Sequence, residues 1–356
     1  MSDPGLPRHT IGDTFLGGPD RVAGTLRAQL LQRVRETPAG GAIDWATCYF
    51  LDTELAQALI DASGRGVDVT LVVEGDPGAA HANDPVLALL RADGLRDGLT
   101  IRPRAPRPVR ALAGRLHLKI YAFSHPSPVA LVGSFDPAGG PDVDPAVLKA
   151  IGDRDRAHNL LVAIEGTRLV ERLVRHVRLL GRRRGAIGRL SIENNRVVRE
   201  RETALYFYPR LRTRIVEPVV ARLGQGDRLW ATVSHIGRAA ADVLVAAGRR
   251  GVRLELVVDD SRRRVPAKAI VRMRRAGVGI RRLRLADELP MQARFVVTDR
   301  AGVRTAWFGS HDFTRRARLL NDELLVETHD PALIATLIAR FADLARAADR
   351  PPPGGR

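Results

Sequence analysis

Apolar and polar positions along the chain alternate between strand-like runs and helical spacing. Residues 43–50 form a short apolar run that is typical of a buried strand. Residues 53–63 follow with leucine and isoleucine at helical spacing, beginning at the candidate cap Thr53. Residues 67–75 alternate and then become uniformly apolar, as a parallel strand covered by helices does. The order of strand, helix and strand predicts an α/β lobe with a mixed or parallel sheet, and residues 331–347 close the chain with an amphipathic helix.

This pattern occurs twice. Residues 64–76 match residues 249–261 at an offset of 185, and "DWAT" at 44–47 matches "LWAT" at 229–232 at the same offset. Later blocks match in the same order at offsets of 175 and 176. Two domain-sized copies indicate a duplicated lobe and not a solenoid of short repeats. We therefore predict an N-terminal lobe, a linker, a C-terminal lobe and a disordered tail at residues 1–181, 182–201, 202–349 and 350–356, respectively.

Composition narrows the class of protein. The hydrophobic share is 45%, and no apolar run approaches the roughly 18 residues that cross a membrane, so we expect a cytoplasmic protein without a transmembrane segment. The net charge of +17 indicates attraction to anions, whether a phosphorylated substrate, an anionic membrane contacted peripherally, or nucleic acid. An aromatic share of 4% leaves few rings for stacking unpaired bases. The single cysteine, Cys48, excludes an intrachain disulfide and a cysteine-rich zinc site.

Lysine occurs at only three positions, although the chain has 57 basic residues. One of them, Lys119, follows His117 by two residues in a predicted strand, so both side chains should project from one face. Ser134 ends the next apolar run, after Gly133, whose missing side chain would let the backbone approach a ligand. A histidine, a lysine and a hydroxyl at strand ends suit a tetrahedral phosphate, because the imidazole can attack phosphorus while the other two groups hold its oxygens.

These residues resemble the motif of the phospholipase D superfamily, which is His-x-Lys-x4-Asp followed by Gly-Ser-x-Asn. The first copy reads His117-Leu-Lys119 and Gly133-Ser134, and the second reads Gln292-Ala-Arg294, Asp299 and Gly309-Ser310-His311-Asp312. The resemblance covers about residues 40–345 and implies two duplicated α/β lobes, each a mixed sheet flanked by helices. It further implies a pseudo-twofold axis over one shared active site, a phosphohistidine intermediate on one histidine and protonation of the leaving group by another. No metal or other cofactor is implied.

The chain departs from the superfamily motif in both copies. In the second copy Gln292 and Arg294 replace the histidine and the lysine, so His117 is the motif histidine left to act as nucleophile. Glutamine cannot exchange a proton at neutral pH, which leaves the general acid unassigned. In the first copy Ser124 stands at the aspartate position and Asp136 at the asparagine position.

The acid that should orient a catalytic histidine is also displaced. It aligns with Glu323 in the second copy, which has no motif histidine, and with Asn159 in the first copy, which has one. His117 would then need a replacement carboxylate, and the candidates are Asp136, Asp153 and Asp155. The candidates for a substitute general acid are His125, His158 and His311, of which His311 is favoured because it directly follows Ser310.

Three functions remain open from the sequence. The favoured one is a monomeric, metal-independent phosphodiesterase or phosphatidyl transferase that acts on a phospholipid-type headgroup. In it, His117 attacks phosphorus, Gln292 donates a hydrogen bond, and the phosphate is bound by Lys119, Arg294, Ser134 and Ser310. The alternatives are an inactive protein that binds phosphorylated ligands in the same pocket, and a basic nuclease or nucleic-acid-binding protein of the same fold.

Overall fold

The structure of the protein is a computed structural model. It describes residues 9–349 with the exception of 80, 93, 96, 104–112, 139–156, 183–195, 211–213, 262–263 and 285–290. Two candidate carboxylates, Asp153 and Asp155, and the tail predicted at 350–356 lie outside these described residues.

The strands form two mixed sheets, one in each half of the chain. The strands of the first sheet are β1 (Ile11–Leu16), β2 (Ala42–Thr47), β3 (Asp68–Glu74), β4 (Leu99–Arg102), β5 (Ile120–Phe123), β6 (Val129–Gly133) and β7 (Leu160–Ile164). The strands of the second are β8 (Val198–Glu200), β9 (Thr203–Tyr208), β10 (Arg228–Val233), β11 (Arg253–Asp259), β12 (Gly279–Leu283), β13 (Phe295–Arg300), β14 (Val303–Gly309) and β15 (Glu323–Thr328).

Strand order confirms the duplication. The first sheet is ordered β1-β7-β6-β5-β2-β3-β4, and the second reads β8-β9-β15-β14-β13-β10-β11-β12 in the same direction. In each sheet the last three strands run parallel, and the strand before them is antiparallel. The two lobes therefore share one topology, with β8 added to the edge of the second sheet.

Helices cover the outer faces and fill the space between the sheets. The described helices are α1 (Thr25–Glu36), α2 (Thr53–Gly64), α3 (Asp84–Ala92), α4 (Thr167–Arg182), α5 (Val216–Ala221), α6 (Arg238–Arg249), α7 (Ala267–Arg275), α8 (Arg315–Leu319) and α9 (Pro331–Asp349). One buried apolar cluster contains residues of both sheets together with α4 and α9, so the lobes share a core and pack as one body. No described helix is long and apolar enough to cross a membrane.

One of the sequence matches is out of register. Tyr121 and Val296 are equivalent by the motif offset, yet Trp45 lies opposite Tyr121 while Trp230 lies opposite Val297. Trp45 accordingly packs in the outer core of lobe one, and Trp230 packs against the core between the sheets. Side chains alternate along a strand, so a slip of one residue moves a side chain to the other face. The shared letters "WAT" therefore do not mark equivalent positions, whereas β3 and β11 do match at the predicted offset.

Local boundaries differ from the prediction at two points. The cap of α2 is Asp52 and not Thr53, because the Asp52 carboxylate accepts a hydrogen bond from Leu55 N at 2.9 Å. The stretch predicted as a linker contains β8, which pairs with β9 and so belongs to the second sheet. The domain boundaries otherwise stay a prediction.

Candidate active site at the contact between the lobes

The motif histidine lies where the two lobes touch. The backbone amides of His117 and Leu118 both donate to Asp322 O, at 2.9 and 3.0 Å. His117 and Lys119 thus lie in extended chain just before β5, which begins at Ile120, and not within the strand as predicted. This contact fixes the backbone of the first motif against lobe two.

The imidazole of His117 is held by a carboxylate from the opposite lobe. Its Nδ1 lies 2.9 Å from Glu323 Oε2, and the Glu323 side chain is fully buried while that of His117 is 21% exposed. The same carboxylate accepts hydrogen bonds from Ser310 Oγ at 2.6 Å and from Asn321 Nδ2 at 3.0 Å. Burial raises the pKa of Glu323, but the neighbouring His117 and His311 together outweigh burial and hold that pKa below its ordinary value. The ionised carboxylate accepts the Nδ1 proton, which leaves the lone pair on Nε2.

The origin of this carboxylate corrects the expectation that His117 needs a replacement within its own lobe. Glu323 aligns with the copy that lacks a histidine, but the contact between lobes is crossed, so the acid of one copy serves the histidine of the other. Asp136, the candidate that the structure describes, contacts Lys119 instead, with 3.2 Å between Nζ and Oδ2. An alignment of the two copies cannot show this crossing, because it contains no information about how the lobes meet.

The crossed contact is repeated with amide side chains at the equivalent positions. Gln292 N donates to His158 O at 3.1 Å, which places the second motif against lobe one. Asn159 then occupies the position equivalent to Glu323, and it accepts a hydrogen bond from Ser134 Oγ at 2.9 Å. At the two motif positions the chain therefore has the His117–Glu323 pair and, across the axis, a glutamine and an asparagine. Both members of the second pair have lost their titratable group.

The two motif serines and Gly133 have structural roles that the sequence did not indicate. Ser134 Oγ and Ser310 Oγ accept hydrogen bonds from Leu160 N at 3.2 Å and Leu324 N at 3.0 Å. Each hydroxyl also donates to the side chain across from it, so its geometry favours positioning over the phosphate binding predicted for it. A Cβ on Gly133 would lie 2.1 Å from Leu160 O, so this glycine permits the approach of β7 and not of a ligand.

Each motif cation is paired with a motif aspartate. Lys119 contacts Asp136, and Arg294 Nε donates to Asp312 Oδ1 at 2.8 Å. Another nitrogen of Arg294 donates to Gln292 Oε1 at 2.7 Å, so this glutamine acts here as an acceptor. Burial raises the pKa of Asp312, but Arg294 and nearby histidines outweigh it and hold that pKa well below its ordinary value. The positive charge of the site is thus largely balanced by its own carboxylates.

The three histidines considered as substitute acids are poorly placed for that role. His311 is 6% exposed, its ring stacks on Tyr208 with 4.3 Å between centroids, and its nitrogens have no hydrogen-bond partner among the described residues. Burial lowers the pKa of His311. His158 is buried and its Nδ1 accepts a hydrogen bond from Arg340 at 2.8 Å, whereas His125 lies in the turn at the far end of β5.

One histidine beside the site was missed by the sequence analysis. His235 follows β10, and its Nδ1 lies 3.2 Å from Asp312 Oδ2 with 33% of the side chain exposed. The ring is not aligned for a linear hydrogen bond, so the contact is an ion pair when the imidazole is protonated. Its signal in the sequence was a polar residue just after a buried strand, which is also where Ser134 occurs.

A cationic cavity borders this side of lobe two. Its volume is about 370 Å³, and it includes Gly237, two residues after His235, and Phe313, next to Asp312. Its walls contain two carboxylates and four arginines, namely Arg214, Arg238, Arg315 and Arg318. None of these four guanidinium groups has an ion-pair or hydrogen-bond partner within the part of the chain that the structure describes. The cavity is suited to an anionic group.

The burial of His158 makes stability depend on pH. Burial, with the nearby Arg340, lowers the pKa of His158 to about 4, whereas an unfolded chain has a value of about 6.5. Below about pH 6.5 the unfolded chain thus binds a proton at His158 that the folded chain excludes, and this favours unfolding. His158 therefore does not lower the free energy of unfolding above about pH 6.5, and lowers it progressively as the pH falls towards 4. We expect the free energy of unfolding to drop by about 3 kcal/mol over this range through His158.

Urea unfolding at fixed pH values measures this effect, with His158→Gln as the control. The variant lacks the titrating ring but keeps an acceptor for Arg340, so its stability should change less between pH 6.5 and 4 than that of the wild type. Parallel curves for the two proteins would show that His158 does not carry the dependence.

Comparisons with known proteins agree with this architecture. A family model described as cardiolipin synthase, PLD-like domain, matches residues 37–137 and 222–345. No curated protein matches the chain. The structure is similar to the phosphatidylserine synthase of Haemophilus influenzae Rd KW20, with a TM-score of 0.66 and 13% identity over 97% of this chain and 89% of the synthase.

A second similar structure is the polyphosphate kinase of Porphyromonas gingivalis. The TM-score is 0.61 and the identity is 15%, over 93% of this chain and 50% of the kinase. The chain therefore spans about half the length of that kinase. At such identities these likenesses establish the fold alone.

Proposed function

The chain belongs to the phospholipase D superfamily, in the family of PLD-like domains described for cardiolipin synthase, and we propose that it cleaves or transfers a phosphodiester through a phosphohistidine on His117. The observation that carries this proposal is the intact His117–Glu323 pair. It directs one ring nitrogen to a buried carboxylate and leaves Nε2 as a base and nucleophile on a partly exposed ring.

The reaction follows from this tautomer. His117 Nε2 attacks phosphorus, the N–P bond forms, and the bond from phosphorus to the leaving alcohol breaks as that oxygen takes up a proton. Glu323 stabilises the positive charge that develops on the ring, as a buried carboxylate does when it holds an attacking imidazole. Water or a second alcohol then attacks phosphorus, loses a proton and breaks the N–P bond. The products are a phosphomonoester with water and a new diester with an alcohol.

The charge balance of the site supports a diester substrate. Lys119 and Arg294 are the motif cations, and each already faces an aspartate in place of the motif's asparagine. A phosphodiester carries one negative charge, whereas a monoester carries up to two and would meet more repulsion from these carboxylates. We therefore expect diesters to bind better than monoesters of the same alcohol.

A phospholipid-type substrate is favoured over nucleic acid. The matched family is described by the name of a synthase for a phospholipid, cardiolipin. The arginine-lined cavity beside Asp312 could hold an anionic headgroup, and the net charge of +17 favours peripheral contact with an anionic membrane. The second candidate, a protein that only binds phosphorylated ligands, is favoured by the replacement of both members of the second His–acid pair.

Turnover and trapping of the intermediate test the proposal. Vesicles of fluorescent phosphatidylcholine or phosphatidylglycerol and soluble bis-p-nitrophenyl phosphate would be incubated with the protein in EDTA, with and without a primary alcohol. We expect hydrolysis that EDTA does not reduce, alcohol-dependent transfer, and a base-stable, acid-labile phosphoryl group on the peptide that contains His117. Binding of inorganic phosphate without turnover would favour the binding protein, and cleavage of single-stranded DNA alone would favour a nuclease.

A further inference from the structure

The reaction at His117 needs a proton donor that the second motif does not supply. Gln292 stands at the position equivalent to His117, and Asn159 at the position equivalent to Glu323. Neither amide can donate a proton to an alkoxide and recover it at neutral pH. A leaving alcohol with an ordinary, high pKa therefore has no acid at the position that the pseudo-twofold axis would assign to it.

The two motif aspartates break the symmetry of the site. In lobe one, Asp136 Oδ1 accepts hydrogen bonds from Thr47 Oγ1, Cys48 N and Tyr49 N, at 3.0 to 3.2 Å, while Oδ2 faces the lysine. Within the described part of the chain, the partners of this carboxylate are thus a cation, a hydroxyl and backbone amides. None of them is an imidazole.

In lobe two the equivalent carboxylate, that of Asp312, faces a histidine. Asp312 Oδ1 accepts from Arg294, and Asp312 Oδ2 lies 3.2 Å from His235 Nδ1. The segment that carries His235 is fastened to the motif loop, because Gly237 N donates to Phe313 O at 3.0 Å. Among the described residues, the Asp312 carboxylate therefore contacts an imidazole where Asp136 contacts backbone amides, in the lobe that lost its motif histidine.

The His235–Asp312 pair also resembles the nucleophile pair in burial. Its carboxylate is 12% exposed and its imidazole 33% exposed, against 0% and 21% for Glu323 and His117. In both pairs Nδ1 is the ring nitrogen that faces the carboxylate, hydrogen-bonded at 2.9 Å in His117–Glu323 and in ion-pair contact at 3.2 Å in His235–Asp312, so Nε2 is the nitrogen that can exchange a proton with a ligand. Among the residues that the structure describes, His311 has no such carboxylate contact, and its side chain is almost fully buried.

We infer that His235, held by Asp312, is the general acid that protonates the leaving alcohol, a function displaced from position 292 to the end of β10. This inference rests on the proposed function. As the P–O bond breaks, the proton on His235 Nε2 passes to the alcohol oxygen, and the neutral ring then accepts a proton from the water or alcohol that attacks the phosphohistidine. Asp312 is the positioning residue, and Arg294 balances its charge while the ring is neutral.

Leaving groups of different basicity test this assignment. A p-nitrophenolate ion leaves without a proton, whereas choline and simple alkyl alcohols need one, so the loss of a general acid affects only the second class. We would measure the first turnover of a p-nitrophenyl phosphodiester and of the matching alkyl or choline diester in wild type, His235→Gln and the control His311→Gln. Thermal unfolding of each variant checks that it is folded.

The expected result for His235→Gln is a fall of about 10²- to 10⁴-fold for the alkyl leaving group, with the p-nitrophenyl rate within about threefold of wild type. His311→Gln should change neither rate by more than about threefold. Equal losses for both leaving groups, or no loss for the alkyl group in folded His235→Gln and His235→Asn, would overturn the assignment. Wild type that releases neither leaving group would instead refute the proposed function, and this inference with it.

Discussion

Replacing His117 by alanine is expected to lower the turnover of every phosphodiester substrate by about 10⁴-fold or more. The expectation follows from the one-sided site, in which His117 is the motif imidazole that both reaches solvent and is held by a carboxylate. With two equivalent histidines, removal of one could be partly covered by the other. Here the equivalent position holds Gln292, which cannot form a phosphoryl intermediate that turns over.

Gln292→Ala is the matched control, because Gln292 is related to His117 by the pseudo-twofold axis and its backbone amide makes the equivalent contact with the opposite lobe. This change removes an acceptor from Arg294 and should lower turnover by no more than about tenfold. Stopped-flow measurement on a p-nitrophenyl diester, with thermal unfolding of both variants, separates chemistry from folding. Similar losses in the two variants would show that the site does not work through one nucleophile, and the phosphohistidine proposal would be withdrawn.

The sequence predicts the duplicated α/β fold because the apolar pattern of each strand and its spacing from the neighbouring helix are both local signals. Strand β3 and its counterpart β11 share an apolar pattern with the same spacing from the preceding helix, so their match survives in the structure. The tryptophans of β2 and β10 do not match, since an apolar run does not reveal which face of a buried strand each residue occupies. Identical residues in a uniformly apolar run can therefore mislead by one position.

The chemistry of the site was harder to predict from the sequence, because it depends on contacts between residues that are far apart in the chain. The pairing of His117 with Glu323 depends on contact between lobes, and chain order alone suggests a partner within the same copy. His235 lies outside the motifs, and only its short distance to Asp312 in the structure identifies it as a candidate site residue. By contrast, the aspartates at 136 and 312 were visible in the sequence, but their pairing with the motif cations required the structure.

Glu323→Gln is expected to lower turnover by about 10³-fold, although it keeps the size of the side chain. The carboxylate accepts from three donors, which are His117 Nδ1, Ser310 Oγ and Asn321 Nδ2. A glutamine amide has one oxygen and one NH₂. The NH₂ must therefore face either Asn321 Nδ2 or the side shared by His117 Nδ1 and Ser310 Oγ. The Ser310 hydroxyl can rotate more easily than Asn321 can, because Asn321 Oδ1 also accepts from Arg115 N. We therefore expect the NH₂ to face His117.

An NH₂ at that position donates to Nδ1 and drives the imidazole to the tautomer with its proton on Nε2, which has no lone pair for attack on phosphorus. Nitrogen-15 NMR of His117 would report this exchange, and turnover of a p-nitrophenyl diester would report its effect. Glu323→Asp retains the charge but shortens the reach, so it should keep the wild-type tautomer and recover part of the activity. If Glu323→Gln changes neither the tautomer nor the rate, the carboxylate serves only to pack the lobe contact, and the orientation of His117 must come from its backbone bonds to Asp322.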